Sequence, residues 1–122
     1  MREPLRDSER LKHIIDAIDN IFEFINGITF DEYLQNKMMR FAVFKNLEIV
    51  GEACYLISKE LKKQHPEIEW QDVIAMRHLL VHGYYHIRDE IVWSTIRDNI
   101  PQFKEQICLI KSKIDSYGKE KP

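Results

Sequence analysis

Apolar residues recur at steps of three and four along most of the chain, and no segment alternates polar and apolar residues as a strand would. This spacing is the period of the α-helix, so the pattern predicts an all-α fold, a small up-down helical bundle of about five helices. The first stripe consists of seven residues, Leu11, Ile14, Ile15, Ile18, Ile21, Phe22 and Ile25.

Polar residues and glycine mark where the first two helices begin and end. Asp7 or Ser8 is predicted to cap the first helix, and Gly27 to end it. Thr29 and Glu32 have the spacing of a capping box, which predicts a second, short helix.

A long third helix should follow the short one. The short helix is expected to reach about Gln35, after which Asn36 can cap the next helix. The basic pair Lys62-Lys63 suits its last turn, and Pro66 lies beyond its end. Its apolar positions are Phe41, Phe44, Leu47, Val50, Cys54, Ile57 and Leu61.

Two more helices complete the pattern. The fourth is predicted from near Trp70 to about His82, with Gly83 as its terminator. The fifth begins near Asp89, and Pro101 inside it should kink it or split it in two. Its apolar positions are Val92, Ile96, Ile100, Phe103, Ile107, Ile110 and Ile114.

Gly51 interrupts the long third helix, where glycine costs roughly 1 kcal/mol relative to alanine. The missing side chain would let a second helix approach closely. That helix could belong to the same chain or to a second copy across a dimer axis.

Composition narrows the class of protein. The 122 residues suffice for one domain, 1–122, with 44% hydrophobic and 31% charged residues. A net charge of −2 gives no overall basic surface, so nucleic acid would need a local patch or two patches joined by dimerisation. Cys54 and Cys108 suit buried, reduced thiols better than a disulfide. With neither a signal peptide nor an apolar run of membrane-spanning length, we expect a cytoplasmic protein.

The segment "MRHLLVHGYYHI", residues 76–87, concentrates the candidate chemistry. His78, His82 and His86 stand at i, i+4 and i+8, and two histidines at i, i+4 can chelate zinc. The third would join them only if the helix continued through Gly83. We therefore favour an incidental histidine pair over a metal site.

Arg77 and His82 form a second candidate pair. Five positions rotate their side chains by roughly 140° around a helix, so they do not share a face, but the long arginine could swing its guanidinium toward the helix end. A guanidinium and an imidazole can cleave an RNA phosphodiester without metal. The histidine would move the proton, and the arginine would hold the phosphate in a bidentate fork.

Three stretches carry a resemblance to a known family. Arg77-x4-His82-x-Tyr84 resembles the R-x4-H-x-Y signature of HepT-like proteins in the HEPN superfamily. "RFAVFKNLEIVGEACYLISKEL" is similar to the long core helix of that family with its Gly-Glu-Ala element. "PEIEWQDVIAMRHLLVHGYYHI" is similar to its Pro-x-Ile-x-Trp entry and signature, and "IVWSTIRDNIPQF" to its final helix.

The resemblance implies a ribonuclease toxin. It implies a HEPN-type homodimer in which the signature segments of two protomers line one cleft, with Arg77 and His82 as the ribonuclease pair and no cofactor. The partner would be a minimal nucleotidyltransferase antitoxin of a type VII-like toxin–antitoxin system, which adds AMP to Tyr84. AMP brings bulk and negative charge within two residues of His82, which would block the cleft and repel RNA.

Some positions depart from the family pattern. His78 stands where many relatives have asparagine, and it could still hold phosphate or share proton transfer, so we count it with the catalytic residues. Ala75 replaces a common glycine, and Gly83 an often acidic residue. Tyr85 is the next candidate for the AMP acceptor.

Two functional hypotheses follow from these observations. The first is a metal-independent endoribonuclease toxin acting on tRNA or mRNA. The second is a non-catalytic module that binds a nucleotide or serves only as the protein substrate of the nucleotidyltransferase. The Arg77 and His82 pair favours the first, whereas the acidic pI of about 6.2 gives some support to the second.

Overall fold

Helices account for nearly all of the architecture. The computed structural model describes residues 2–120, with side chains for residues 6–83 and 85–116. The α-helices are α1 (Arg2–Ile25), α2 (Phe30–Gln35), α3 (Lys37–Leu56), α4 (Lys59–Gln64), α5 (Trp70–His82), α6 (Asp89–Ser94) and α7 (Ile100–Glu120). A 3-10 turn, Tyr84–His86, follows α5, and a π-helical turn, Thr95–Asn99, joins α6 to α7. None of the described residues forms a strand, which confirms the all-α prediction.

The core of the bundle forms where α1 packs against α3 and α7. Asn20 Nδ2 of α1 donates to Asn46 Oδ1 of α3 at 3.1 Å, whereas Asp7 near the start of α1 bonds to Ser58, just beyond the end of α3. These two contacts make α1 and α3 antiparallel. Fully buried side chains of the three helices include Leu11, Ile14, Ile18, Ile21, Val43, Leu47, Val50, Cys54 and Ile107.

The capping signals around α2 are confirmed. Thr29 Oγ1 accepts from the Glu32 N–H at 3.1 Å, and Glu32 Oε1 accepts from the Thr29 N–H at 2.8 Å. Asn36 Oδ1 accepts from the Met39 N–H at 3.0 Å and so begins α3. Gly27 has a φ of 75° just after α1, a conformation that side chains disfavour.

The predicted cap of α1 is wrong. The helix already begins at Arg2, so Asp7 and Ser8 lie inside it. Asp7 is only 3% exposed, and its carboxylate accepts from the Ser58 N–H at 2.9 Å and the Ser58 hydroxyl at 2.6 Å. Ser8 donates to Asp115 of α7 at 2.7 Å. The side chains of Asp7 and Ser8, which could have capped a helix, form hydrogen bonds with residues far away in the sequence. Local sequence does not reveal such contacts.

The predicted long third helix is interrupted. Ile57 adopts an extended conformation with a ψ of 143°, and Ser58 Oγ caps α4 by accepting from the Leu61 N–H at 3.2 Å. Neither glycine nor proline stands at this break. The bonds from Asp7 to Ser58 are the tertiary contact that stabilises it. Phe41, assigned to the apolar stripe, is 45% exposed.

The predicted split at Pro101 is confirmed. Proline has no N–H to donate within a helix, and its ring crowds the preceding turn. The helix widens immediately before it, and the Ile100 N–H donates to Thr95, five residues back. A π-helical turn of this kind is one of the regular ways in which a helix accommodates such a disturbance.

Cys54 and Cys108 are both free thiols, as predicted. Burial is confirmed only for Cys54, because Cys108 is partly exposed. Over the described length of the chain, we find no helix both long and apolar enough to cross a membrane.

Candidate active site

Helix α5 carries Arg77, His78 and His82 and packs along α3. Its first residue, Trp70, is buried, and the indole Nε1 donates to the carbonyl of His65 at 3.0 Å. At the other end the Gly83 N–H donates to the carbonyl of Leu79 at 2.8 Å. The predicted bounds of this helix are confirmed, and both ends of the segment that bears the candidate residues are fixed.

Arg77 lies directly over Gly51 of α3. A Cβ built on Gly51 would lie 2.2 Å from the Arg77 Cβ and 3.2 Å from the carbonyl oxygen of Val73. No side chain fits at such a distance, so the glycine is what allows α5 to approach α3. Of the two explanations for Gly51, the close approach within the chain is confirmed.

Glu52, the next residue of α3, holds the guanidinium of Arg77. Its Oε1 lies 3.2 Å from the Arg77 Nε, and the two side chains are 47% and 35% exposed. Glu52 pairs with Nε, and a guanidinium has five N–H donors, so Arg77 can bind a further acceptor beside Glu52. Glu52 is a site residue that the sequence patterns did not predict. The signal was an acidic residue directly after a glycine inside a helix.

Arg77 also forms part of the wall of an open groove between α1 and α3, with a volume of about 530 Å³. We call this the α1/α3 groove. Its walls contain cationic and acidic side chains, and Ile49 and Leu56 give it an apolar portion. The charged ones, apart from His13, are Arg6, Arg10, Lys45, Arg77, Glu9, Glu48 and Glu52. Arg77 belongs to α5 and its signature and Glu52 to the Gly-Glu-Ala element, whereas the other charged residues belong to the polar faces of α1 and α3, where no motif marks them.

The structure brings His78 and His82 together. Their ring centroids are 4.6 Å apart, and both side chains are exposed. Neither histidine lines the α1/α3 groove. Within the described part of the chain, Arg77 pairs with Glu52 and makes no contact with His82. The guanidinium is therefore directed toward α3 and not toward the end of α5.

His86 does not join the histidine pair. Helix α5 ends at His82, and His86 lies in the following 3-10 turn with an exposed side chain. Among the described residues, no group of three or more histidine, cysteine, aspartate or glutamate side chains is placed to hold a metal ion. The helical i, i+4, i+8 arrangement considered for zinc does not form.

The turn after α5 carries Tyr84 and Tyr85, the two candidate AMP acceptors. Tyr84 is the first residue of the 3-10 turn, and its side chain lies outside the described residues. The Tyr85 side chain is 84% exposed. The His86 N–H donates to the carbonyl of Gly83 at 2.8 Å and closes the turn.

An ion pair fixes the chain just beyond this turn. Arg40 of α3 grips Asp89 through Nη2 to Oδ2 at 2.8 Å and Nε to Oδ1 at 3.2 Å. The Tyr33 hydroxyl donates to Asp89 Oδ1 at 3.5 Å, and burial raises the pKa of Tyr33, so it remains a donor. Trp93 packs on the ring of Tyr33 at 5.1 Å. Trp93 therefore anchors α6 to α2 by packing on Tyr33.

Comparison with known proteins assigns the chain to a family. The chain is a small all-helical protein that carries an arginine and a histidine pair on one helix. The chain matches the family model described as "Ribonuclease HepT-like" over residues 14–110. It therefore belongs to the HepT-like ribonuclease family, and the resemblance drawn from its motifs is confirmed.

Individual relatives match over most of their length. A protein of Thermococcus cleftensis named "Probable ribonuclease HepT" is 39% identical over 77% of this chain and 86% of its own. Proteins named "Putative RNase" from Methanocaldococcus jannaschii and Caldanaerobacter subterraneus are 29% and 31% identical, over 82% and 84% of this chain and 92% of their own. No solved structure gives a significant match.

Proposed function

We propose that this ribonuclease is a metal-independent endoribonuclease toxin, acting on tRNA or mRNA in the cytoplasm. The observation that carries the proposal is the placement of Arg77. Gly51 gives its backbone room, Glu52 holds its Nε, and its side chain lines an open groove. An arginine held in this way is prepared for a bidentate contact with a phosphate.

The roles of the residues follow from their chemistry. Arg77 would grip the scissile phosphate and stabilise the charge that develops on its oxygens. His82 would take the proton from the 2′-hydroxyl, whose oxygen attacks phosphorus as the bond to the 5′-oxygen breaks. His78, whose ring lies beside that of His82, would give a proton to the leaving oxygen. The products would be a 2′,3′-cyclic phosphate and a 5′-hydroxyl.

A homodimer would complete this site. Arg77 faces α3, whereas His82 is exposed at the end of α5. The two side chains therefore do not meet within one protomer. The segment that carries them exposes three large apolar side chains, Leu79 at 51%, Val81 at 37% and Tyr85 at 84%. Leu79 and Val81 lie on different sides of α5, and each is an exposed apolar side chain that a second protomer could cover. Pairing two signature segments would place residues of both protomers around one cleft.

We further propose that a minimal nucleotidyltransferase silences the toxin in a type VII-like system. That enzyme would transfer AMP from ATP to the Tyr84 hydroxyl oxygen and release pyrophosphate. Tyr84 follows His82 by two residues in a turn held by Gly83 and Asp89. A phosphate ester there would repel RNA and obstruct His82.

Cleavage of labelled RNA in EDTA tests the catalytic proposal. Wild-type protein should cleave, Arg77→Ala and His82→Ala should lose activity by two orders of magnitude or more, and His78→Gln should lose less. His86→Gln is the matched control and should cleave like wild type. Full activity in His82→Ala would contradict the proposal, and loss of wild-type activity in EDTA would contradict its metal independence.

Mass spectrometry tests the regulatory proposal. Incubation with the nucleotidyltransferase and ATP should add the mass of AMP to wild type but not to Tyr84→Phe. Labelling that persists in Tyr84→Phe and disappears in Tyr85→Phe would move the acceptor to Tyr85.

The balance of charges supports a second, non-catalytic function. The chain has a net charge of −2, and the α1/α3 groove contains three acidic side chains among its cations. This mixture suits a non-catalytic module that binds a nucleotide or serves the nucleotidyltransferase. Wild-type protein that accepts AMP but never cleaves RNA would favour it.

A further inference from the structure

We propose that the α1/α3 groove is a binding track for single-stranded RNA, in which Arg10 and Lys45 hold backbone phosphates on either side of the one at Arg77. This inference rests on the proposed ribonuclease function and adds the path by which its substrate would reach Arg77. It assigns a role to α1, which carries none of the signature residues.

The antiparallel packing of α1 and α3 places these cations in order along the groove. Lys45 precedes Gly51, on which Arg77 rests, by six residues, or roughly 9 Å along a helix. Asp7 pairs with Ser58 and Asn20 with Asn46, so Arg10 lies beside the other end of α3, near Leu56. Arg77 therefore stands between Arg10 and Lys45. An RNA strand held at Arg77 would pass a cation in each direction.

Among the residues that the structure describes, Arg10 and Lys45 are cations of the groove outside any ion pair. Lys12 of α1 and Lys104 of α7, which do not line the groove, do pair, with Asp16 and Asp19. Cations that face a concave surface without a counter-ion attract phosphates, and a backbone with evenly spaced phosphates uses several of them at once.

The size and apolar part of the groove favour a single strand. A volume of about 530 Å³ falls within the range of roughly 300–1,000 Å³ that holds small ligands, which suits a few nucleotides of a single strand. Ile49 and Leu56 are 36% and 45% exposed within the groove. These side chains give sugars and base faces an apolar surface, while the cations follow the backbone.

The acidic side chains of the groove give the RNA-binding proposal a second test. Glu9 and Glu48 line it without forming an ion pair in the described residues. Each would oppose a bound phosphate backbone, so neutralising either one should strengthen RNA binding. If the groove does not bind the RNA backbone, neutralising Glu9 or Glu48 should leave the RNA affinity unchanged.

The test is RNA binding separated from cleavage. The His82→Ala protein, whose RNA remains intact, is titrated with a fluorescent single-stranded RNA oligonucleotide at several salt concentrations. Adding Arg10→Gln or Lys45→Gln should weaken binding by about three- to tenfold and reduce the salt slope by about 0.7, the value for one phosphate contact on a single strand. Adding Glu48→Gln should tighten binding. Lys59→Gln, an exposed lysine outside the groove, is the matched control and should change neither quantity.

The outcomes distinguish the two proposals. If the wild type cleaves RNA while Arg10→Gln and Lys45→Gln bind like the control, the groove proposal is wrong and the ribonuclease proposal stands. If the wild type never cleaves but these variants still lose affinity and salt slope, the groove binds RNA and the catalytic proposal is wrong. Equal loss in Lys59→Gln would show diffuse electrostatic attraction and would overturn the groove proposal.

Discussion

Arg77 of α5 occupies the space that a side chain on Gly51 of α3 would need, since a Cβ there would lie 2.2 Å from the Arg77 Cβ. The next residue, Glu52, then pairs with the Arg77 Nε at 3.2 Å. Two consecutive positions of α3 thus set the place of one arginine, the first by leaving room and the second by charge. The Gly-Glu-Ala element of the sequence has a physical role in this pairing.

Gly51→Ala should disturb both stability and activity. The new methyl group would collide with Arg77 and force α5 away from α3, at a cost of roughly 1–3 kcal/mol in the free energy of unfolding. Urea denaturation measures that cost, and RNA cleavage should fall further than the unfolded fraction explains. The control is Gly27→Ala, where φ is 75° and a Cβ would meet nothing within 4 Å. It should cost about 1 kcal/mol and leave cleavage unchanged. Normal stability in Gly51→Ala would contradict the packing.

Glu52→Gln should slow cleavage with little effect on stability. The pair with Arg77 is partly exposed, and such pairs contribute less than about 1 kcal/mol. Loss of the charge should let the guanidinium leave its position, so the cleavage rate at saturating RNA falls several-fold while RNA affinity holds or rises. Asp16→Asn, which breaks the exposed Lys12–Asp16 pair on α1, is the matched control. A weaker affinity with an unchanged rate would argue against a positioning role.

Arg40→Met should loosen the turn that carries the tyrosines. Asp89 is only 13% exposed at its side chain and would lose two charged hydrogen bonds, at a cost of about 2 kcal/mol. Thermal denaturation and hydrogen exchange over residues 83–90 measure the effect. Arg88→Met, which breaks an exposed pair with Glu90, should change stability far less. Equal effects in the two variants would mean that the Arg40 contact does not anchor the turn.

Cys54 should make the protein less stable in alkaline solution. Burial raises the pKa of this thiol from 9.0 to about 12, although the charge of Lys62 opposes the rise. Both states hold the neutral thiol below pH 9, whereas between pH 9 and 12 only the unfolded state ionises, so stability falls as the pH rises. Wild type should therefore lose up to about 1.4 kcal/mol per pH unit more than Cys54→Ala in this range. Parallel curves for the two proteins would contradict the burial of the thiol.

The two cysteines should also differ in their reactivity. Cys108 is partly exposed and Cys54 is buried. An alkylating reagent at pH 8 should therefore modify Cys108 first in the native protein, and peptide mass spectrometry identifies the site. Faster modification of Cys54 would contradict the packing of α3.

The sequence by itself determined the helices and most of their ends. Thr29, Asn36 and Gly83 act on the backbone within four residues, and the apolar periods need only the geometry of one helix. The motif around Arg77 and His82, together with the stretches around Gly51 and Trp93, also identified the family, because these motifs are specific as a set.

Only the tertiary structure decided which helices meet and what their polar residues do. Asp7 reads locally as a cap, yet it bonds to Ser58, far along the chain, and helps to break the predicted long helix. Arg77 could have turned toward His82, but Gly51 and Glu52 direct it to α3 and the groove. These outcomes depend on contacts between residues distant in sequence, and local propensity carries no information about such contacts.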